Sequence, residues 1–306
     1  VHVEIIAGSQ LLDLESVKFQ LNNIGKLPTE ISECIDSDSF HDDPDSFHHL
    51  GTGRLGNHIY SVNTRNGQAA ILKIGTGLSA TDIDNEADRL RWLHGRCKAP
   101  FLLAHTMGKE TSWSLQSFVG IVAGHACIGE LSGLTIIEAF AESLREIHRT
   151  GISGCPFVSA LELELNESER RLKSGLIAEN DFIKEVGERP SRVFDYLVNS
   201  RGIIKEDCFT HGDYSLPNIL FNESGLFNGG IDCFKGEVSG VVDWGLASVA
   251  DPHRDFMSVE LTIARNMDRN YIRSFYEIYG IDTVDNERIR YYWLLDRFEA
   301  HLLPSR

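Results

Sequence analysis

The chain has no apolar run approaching the ~20 residues that a membrane-spanning helix needs, because its most apolar segments, 118–123 and 134–140, are interrupted within two turns. No membrane partner is therefore expected. Basic residues are also scarce: 29 Lys and Arg stand against 45 Asp and Glu, a formal charge of -16, which argues against a nucleic-acid backbone as partner and in favour of cations. Its six cysteines are scattered with no CxxC spacing, and the first residues lack the basic head and apolar stretch of a secretory leader. Reduced thiols and a cytoplasmic location are the expectation. At 42% hydrophobic and 9% aromatic over 306 residues, the composition is that of a globular chain long enough for one large or two medium domains.

Periodicity divides the chain into a β-rich front and an α-rich back. Leu11, Leu12, Leu14, Val17, Leu21 and Ile24 repeat at helical spacing over 9–27, ending at Gly25 with Pro28 beyond. The acidic, His-dotted run 36–49 shows no ligand pair at helical or hairpin spacing and reads as a solvated loop. Strands are expected at 58–63, 69–74 and 112–119, the first two joined at Asn66-Gly67, a two-residue hairpin signal. A helix over 83–94, capped by Asp84, lies between the second and third. Beyond Gly124 the pattern is helical, at 134–149, 160–172, 192–199, 255–266 and 286–302. Two lobes follow, 1–119 and 120–306, with a hinge at 118–124.

The densest chemical signal is His211-Gly212-Asp213-Tyr214-Ser215-Leu216-Pro217-Asn218, followed downstream by Val241-Val242-Asp243. An Asp, an Asn five residues later and a second Asp after a strand supply what phosphoryl transfer from a nucleotide requires. Asp213 would take or orient the proton of an attacking hydroxyl, while Asn218 and Asp243 offer a neutral and a charged oxygen to Mg²⁺, which needs few protein ligands. Lys73, flanked by Ile71-Leu72 and Ile74, and Glu86 on the following helix form the pair that holds nucleotide phosphates in kinase-like folds. Gly51, Gly53 and Gly56 upstream fit GxGxxG, a spacing that lets backbone amides approach phosphates. Each feature alone has a plain reading: a turn before a strand, a surface lysine, a solvated glutamate, turn glycines. Their order along the chain is what joins them.

In that order the sequence resembles the aminoglycoside phosphotransferases with a protein-kinase-like fold, and most closely the aminoglycoside 3'-phosphotransferases. The resembling stretches are DNEADRLRWL (84–93), LREIHRTGISGCPF (144–157), THGDYSLPNILF (210–221), VDWGLASVADPHRD (242–255) and YGIDTVDNERIRYYWLLDRF (279–298). The resemblance implies an α+β, two-lobed fold with a small antiparallel β N-lobe and a mainly helical C-lobe. It implies Asp213 as catalytic residue, Asn218 and Asp243 as metal ligands, Lys73 and Glu86 at the phosphates, and His211 and Asp255 bracing the catalytic loop. Gly53 and the hinge residues Ser117 and Phe118 complete the nucleotide site, with the adenine read by backbone groups within 117–122. ATP with Mg²⁺ is the implied cofactor, GTP remaining open, and a polycationic aminoglycoside the implied acceptor, met by Asp296 and Phe298 of the LLDxF ending. The product would be an inactivated antibiotic.

Departures from the family pattern bear on the acceptor. Asp232 competes with Asp243 for the metal, but Asp251 and Asp255 follow Asp243 at the family's spacing, which makes 222–240 an enlarged hairpin. Arg297 stands where relatives carry a second carboxylate, Leu246 where they carry Arg, and Arg265 where acidity is expected. A cation beside a polycation's site opposes binding. The rival readings are a kinase of another small hydroxylated amine or sugar, and a nucleotide-binding pseudokinase.

Overall fold

The computed structural model describes residues 31, 33, 47–53, 56–64, 66–108, 110–120, 122–158, 160–221 and 236–301. The helix expected over 9–27, the run 36–46 and Asp232 lie outside these residues. The described chain divides into two compact units. One takes in the described residues up to Ala126 together with Leu220–Gly245, the other Cys127–Ile219 and the described residues from Leu246 on.

The first unit is built on an antiparallel sheet of β1 (Phe47–Thr52), β2 (His58–Asn63), β3 (Ala69–Thr76), β4 (Leu102–Met107) and β5 (Thr111–Ser117), in the order β1-β2-β3-β5-β4. Alternation along the strands gives this sheet two different faces. Tyr60, Val62, Ala70, Leu72, Ile74, Trp113 and Leu115 share one of them and, with Ile31, make a buried apolar cluster. Burying each large side chain of that kind stabilises by roughly 1.5–3 kcal/mol. Lys73, Ser114 and Gln116 occupy the other face, all buried, and Lys73 pairs across the sheet with Ile59 and Ser114. Helix α1 (Leu78–Leu93) joins β3 to β4 and packs on this polar face, with Ile83, Glu86, Ala87 and Leu90 buried. A second sheet of β6 (Val122–Ala123), β8 (Ile219–Phe221) and β9 (Val238–Val241) follows the order β6-β8-β9.

The second unit is mainly helical: α2 (Gly133–His148), α3 (Ala160–Lys173), α4 (Glu179–Val186), α5 (Pro190–Ser200), α6 (His253–Asn266), α7 (Tyr271–Tyr279) and α8 (Asn286–Ala300), with β7 (Cys208–Thr210) paired antiparallel to β10 (Ser248–Ala250). Ser132 caps α2 by accepting from the Thr135 amide, and the apolar stripe Ile136, Ile137, Phe140, Leu144 and Ile147 is wholly buried. Asp285 caps α8 through the amides of Glu287 and Arg288.

Four local expectations change. Helix α1 begins at Leu78, not 83, with Gly77 as its N-cap and the Ser79 hydroxyl accepting from the Thr76 amide just ahead of it. Asp84 instead holds His105 at 2.8 Å. Residues 47–49 are not loop but the start of β1, where register with β2 outweighs polar composition. The Asn66-Gly67 connection is a three-residue loop, not two: Gly67 has φ 76° and donates to Thr64 at 2.8 Å, while Thr64 and Gln68 close the ladder. Strand β4 and helices α4 and α7 were not expected at all.

Candidate active site

Lys73 projects from the middle of β3 toward α1. Its ammonium donates to both oxygens of Glu86, at 2.9 and 2.7 Å, and lies 3.5 Å from Asp243 Oδ1. Burial alone would lower the Lys73 pKa, but the Glu86 and Asp243 carboxylates outweigh it and hold the ammonium above its ordinary range. Glu86 is a junction: besides Lys73 it accepts from Gln116 Nε2 at 2.9 Å and from the Trp244 amide at 3.3 Å. Strands β3 and β5, helix α1 and the Asp243-Trp244-Gly245 turn are thereby fixed on one carboxylate. Asp243 itself is exposed and has φ 70°, the one positive value at a non-glycine residue among the described residues. Such backbone strain is kept where a side chain must be aimed.

Two residues of this cluster were missed from sequence. Gln116 sits two positions from Ser114 on the strand face that carries Lys73 across the ladder. Asp82 lies one helical turn before Glu86, and its carboxyl is pushed up to about 6 by burial first, then by the negative charges of Asp243 and Glu86. A Cβ at Gly245 would sit 2.9 Å from Asp82 Oδ1, so the glycine of the turn makes room for this carboxylate. The i, i+4 spacing of Asp82 and Glu86 was the available signal.

The glycine turn and the hinge are locally closed. The Gly53 amide donates to the Asn57 carbonyl at 2.8 Å and the Gly56 amide to Gly53 at 2.9 Å. The Ser117 amide donates to the Phe101 carbonyl at 2.8 Å, and its hydroxyl accepts from the Phe101 amide at 2.8 Å. The Ser117 amide and hydroxyl thus hold the segment that leads into the edge strand β4. Phe118 follows, half-buried.

In the helical unit, Asp213 stands on a loop with buried supports. The carboxylate of Asp255, in the first turn of α6, accepts from the His211 amide and the Gly212 amide, each at 2.8 Å, and pairs with His148 Nε2 at 3.0 Å. Burial would raise the Asp255 pKa; His148, His211 and the amides overcome it and hold the carboxyl below its usual range. Gly212 has φ 89°, and a Cβ there would lie 2.6 Å from the Leu246 carbonyl, so no other residue fits without displacement. Tyr214 is fully buried, stacked on Phe140 at 4.7 Å, with its hydroxyl donating to the Phe140 carbonyl. Asn218 closes a single 3₁₀ turn, Leu216–Asn218, and its Nδ2 donates to the Asp213 carbonyl at 2.9 Å. That assignment leaves the Asn218 carboxamide oxygen as the pole it offers outward. Asp213 itself remains exposed on this held loop.

The chain passes between units at 219/220, one residue after Asn218, and at 245/246, two residues after Asp243. The Asn218 amide oxygen in the helical unit and the Asp243 carboxylate in the β unit are each, taken singly, a hard oxygen donor of the kind that Mg²⁺ takes.

The C-terminal residues differ from expectation. Phe298 is fully buried, edge-on to Phe182 at 5.2 Å and Phe194 at 6.1 Å, so its ring belongs to the core. Arg297 is buried and ion-paired to both Asp296 and Glu185, with its guanidinium 5.1 Å over the Trp293 ring. It is a compensated structural cation rather than an open charge opposing a polycation. Asp296 is half-buried, and Arg265 and Leu246 are exposed. Among the described residues no helix is long and apolar enough to cross a membrane.

Comparison with known proteins places these features. The chain is 28% identical over 247 residues to an aminoglycoside 3'-phosphotransferase of Niallia circulans, covering 80% of this chain and 90% of that one. A counterpart from Escherichia coli is 26% identical over 230 residues, 74% of this chain and 80% of the other. Among solved structures, an aminoglycoside-3'-phosphotransferase of type VIII superposes with a TM-score of 0.71 at 22% identity, covering 92% of this chain and 98% of that one. A Streptomyces rimosus aminoglycoside phosphotransferase, solved with ADP and streptomycin, superposes with a TM-score of 0.60 at 20% identity, covering 94% and 99%. The fold is thus α+β and kinase-like, with an antiparallel β N-terminal part and a helical C-terminal part. The model of the phosphotransferase enzyme family matches residues 52–292, well over half of the sequence, and the chain belongs to that family.

Proposed function

We propose that this protein is an ATP-dependent phosphotransferase that moves the γ-phosphoryl group of a nucleotide to a hydroxyl of an aminoglycoside antibiotic, inactivating it. The observation that carries the reading is the Lys73–Glu86–Asp243 assembly, present together with an exposed Asp213 on a loop braced by Asp255. The names of the relatives supply the acceptor class.

Asp213 orients the acceptor hydroxyl and takes its proton as the hydroxyl oxygen bonds to the γ-phosphorus and the bond from that phosphorus to the ADP oxygen breaks. Lys73, held charged by Glu86, faces the phosphates of the donor. Asn218 Oδ1 and the Asp243 carboxylate would hold Mg²⁺, which when bound neutralises phosphate charge. Backbone beyond Ser117 takes the base, Gly53 belongs to the turn over the phosphates, and Asp296 answers an ammonium of the acceptor. The formal charge of -16 steers polycations toward the protein. Because Arg297 is already paired, the objection it raised to a polycationic acceptor falls away, and the small-amine kinase keeps only the exposed Arg265 in its favour.

The test is ADP release on a panel of kanamycin- and neomycin-type aminoglycosides, other amino sugars and choline-like amines, with ATP or GTP and Mg²⁺. Turnover confined to aminoglycosides supports the reading. Turnover on another amine alone replaces the acceptor, and nucleotide binding without turnover on any would make the protein a pseudokinase.

A further inference from the structure

Two consecutive residues at the start of α6 grip the glycine before Asp213 with opposite charges. Asp255 accepts from the Gly212 amide. Arg254 brings its guanidinium to the same residue: a Cβ on Gly212, were there one, would lie 2.7 Å from Arg254 Nη1 and 2.6 Å from the Leu246 carbonyl oxygen. The bare Cα therefore admits a cation and a carbonyl against the backbone of the catalytic loop. Arg254 Nη1 donates to that carbonyl at 3.0 Å and to Ser248 Oγ at 3.3 Å, while Nη2 is ion-paired with Glu164 of α3. Ser248 is the register partner of Thr210 across the β7–β10 pair, so the guanidinium ties two backbone segments where the loop leaves the sheet.

Stability alone explains this arrangement poorly. Arg254 is buried, and burial opposes its charge first; Glu164, then Asp255, Tyr292 and Asp213, outweigh it and hold the guanidinium protonated. A buried ion pair replaced by apolar groups of similar volume is often no less stable, so such a pair is weak evidence of a purely structural purpose. What a guanidinium adds is direction, because its donors lie in a rigid planar fork that orients whatever accepts from them. Here the acceptors are the Leu246 carbonyl and the Glu164 carboxylate, and the group wedged beside them is the residue that carries Asp213.

We propose that Arg254 is a positioning residue for phosphoryl transfer: by clamping the Leu246 carbonyl against Gly212, it sets the direction in which Asp213 leaves its loop, with Glu164 as its counter-ion. The inference rests on the reading of Asp213 as the group that takes the acceptor's proton. Asp255 holds the loop by its amides, and Arg254 holds the wall behind it. Without the guanidinium, Gly212 keeps its hydrogen bond to Asp255 but loses the wall that confines its φ of 89°.

The test compares Arg254→Met with the double variant Glu164→Gln/Arg254→Met. Met keeps much of the arginine stem and removes its donors. The single variant strands a buried carboxylate and should lose stability, whereas the double variant should recover most of the lost Tm. In the double variant, kcat on an acceptor that the wild type phosphorylates should stay about 10–100-fold down, with KM for acceptor and nucleotide little changed. Hydrogen exchange read by mass spectrometry gives a measure independent of turnover. Amides within 209–218 should exchange at least about tenfold faster in the double variant, with α6 still protected. Recovery of kcat together with Tm would make Arg254 merely structural and overturn the proposal, and so would unaltered exchange of the loop. A wild-type protein that turns over no acceptor would instead overturn the phosphotransferase reading and the catalytic part of this inference with it, so wild-type activity tells the two failures apart.

Discussion

The two units treat charge in opposite ways. In the β unit the cation proposed to face the phosphates is buried: Lys73 and Glu86 are both almost solvent-free, and their neutralisation of each other keeps the lysine charged. In the helical unit the carboxylate proposed as catalytic, Asp213, is exposed, and the buried charge is instead its support, Asp255. The first arrangement fixes a charge whose position must not vary. The second leaves a carboxylate exposed while fixing the backbone that carries it.

That contrast can be broken experimentally. Asp213→Asn should lower kcat by about 10²–10⁴-fold, the usual share of a general base, with nucleotide affinity and Tm unchanged. A parallel loss of Tm would mean that Asp213 is structural. Glu86→Gln should act on both properties: it leaves Lys73 without its charged partner, weakens nucleotide binding and costs on the order of 1–3 kcal/mol of stability, measurable by denaturant titration.

Asp255→Asn should show itself in the pH dependence of stability. Its carboxyl is held below the ordinary aspartate range, so its contribution is present above that range and is lost as pH falls through the lower folded value. The variant should therefore be less stable than wild type near neutrality, and the gap should close on acidification below about pH 4. A gap that widens in acid would refute the assigned brace. Arg297→Gln is the smallest effect: releasing Asp296 and Glu185 from their common cation should lower KM for a polycationic acceptor about threefold to tenfold, with kcat little changed. An unchanged KM would take Asp296 out of acceptor binding.

Much of this was legible in the sequence, and unevenly so. The Lys73–Glu86 pair could be named because phosphoryl transfer demands particular residue types in a particular order, and the two side chains do meet; the same order led to the proposal for Asp213 and Asn218. Helices α2 and α3 were legible because their apolar stripes bury one face. Helix α7 carried the same signal in Ile272, Phe275, Tyr276 and Tyr279 and went unread. Strand β1 was hidden by its own composition, since His48, His49 and Gly51 become strand only through pairing with β2. Gln116 and Asp82 have no motif, and their place depends on long-range register and helix phase. Phe298 was misplaced because a sequence match gives a position in the chain and not the side of the helix that faces the core.

The most direct measurement follows the phosphoryl group itself: ATP labelled at the γ-phosphate, Mg²⁺ and a neomycin-type aminoglycoside, with the product separated and weighed by mass spectrometry. The account predicts label on the aminoglycoside, as one added phosphate, for the wild-type protein and next to none for Asp213→Asn. Label recovered only as inorganic phosphate, or equal transfer by the variant, would contradict it.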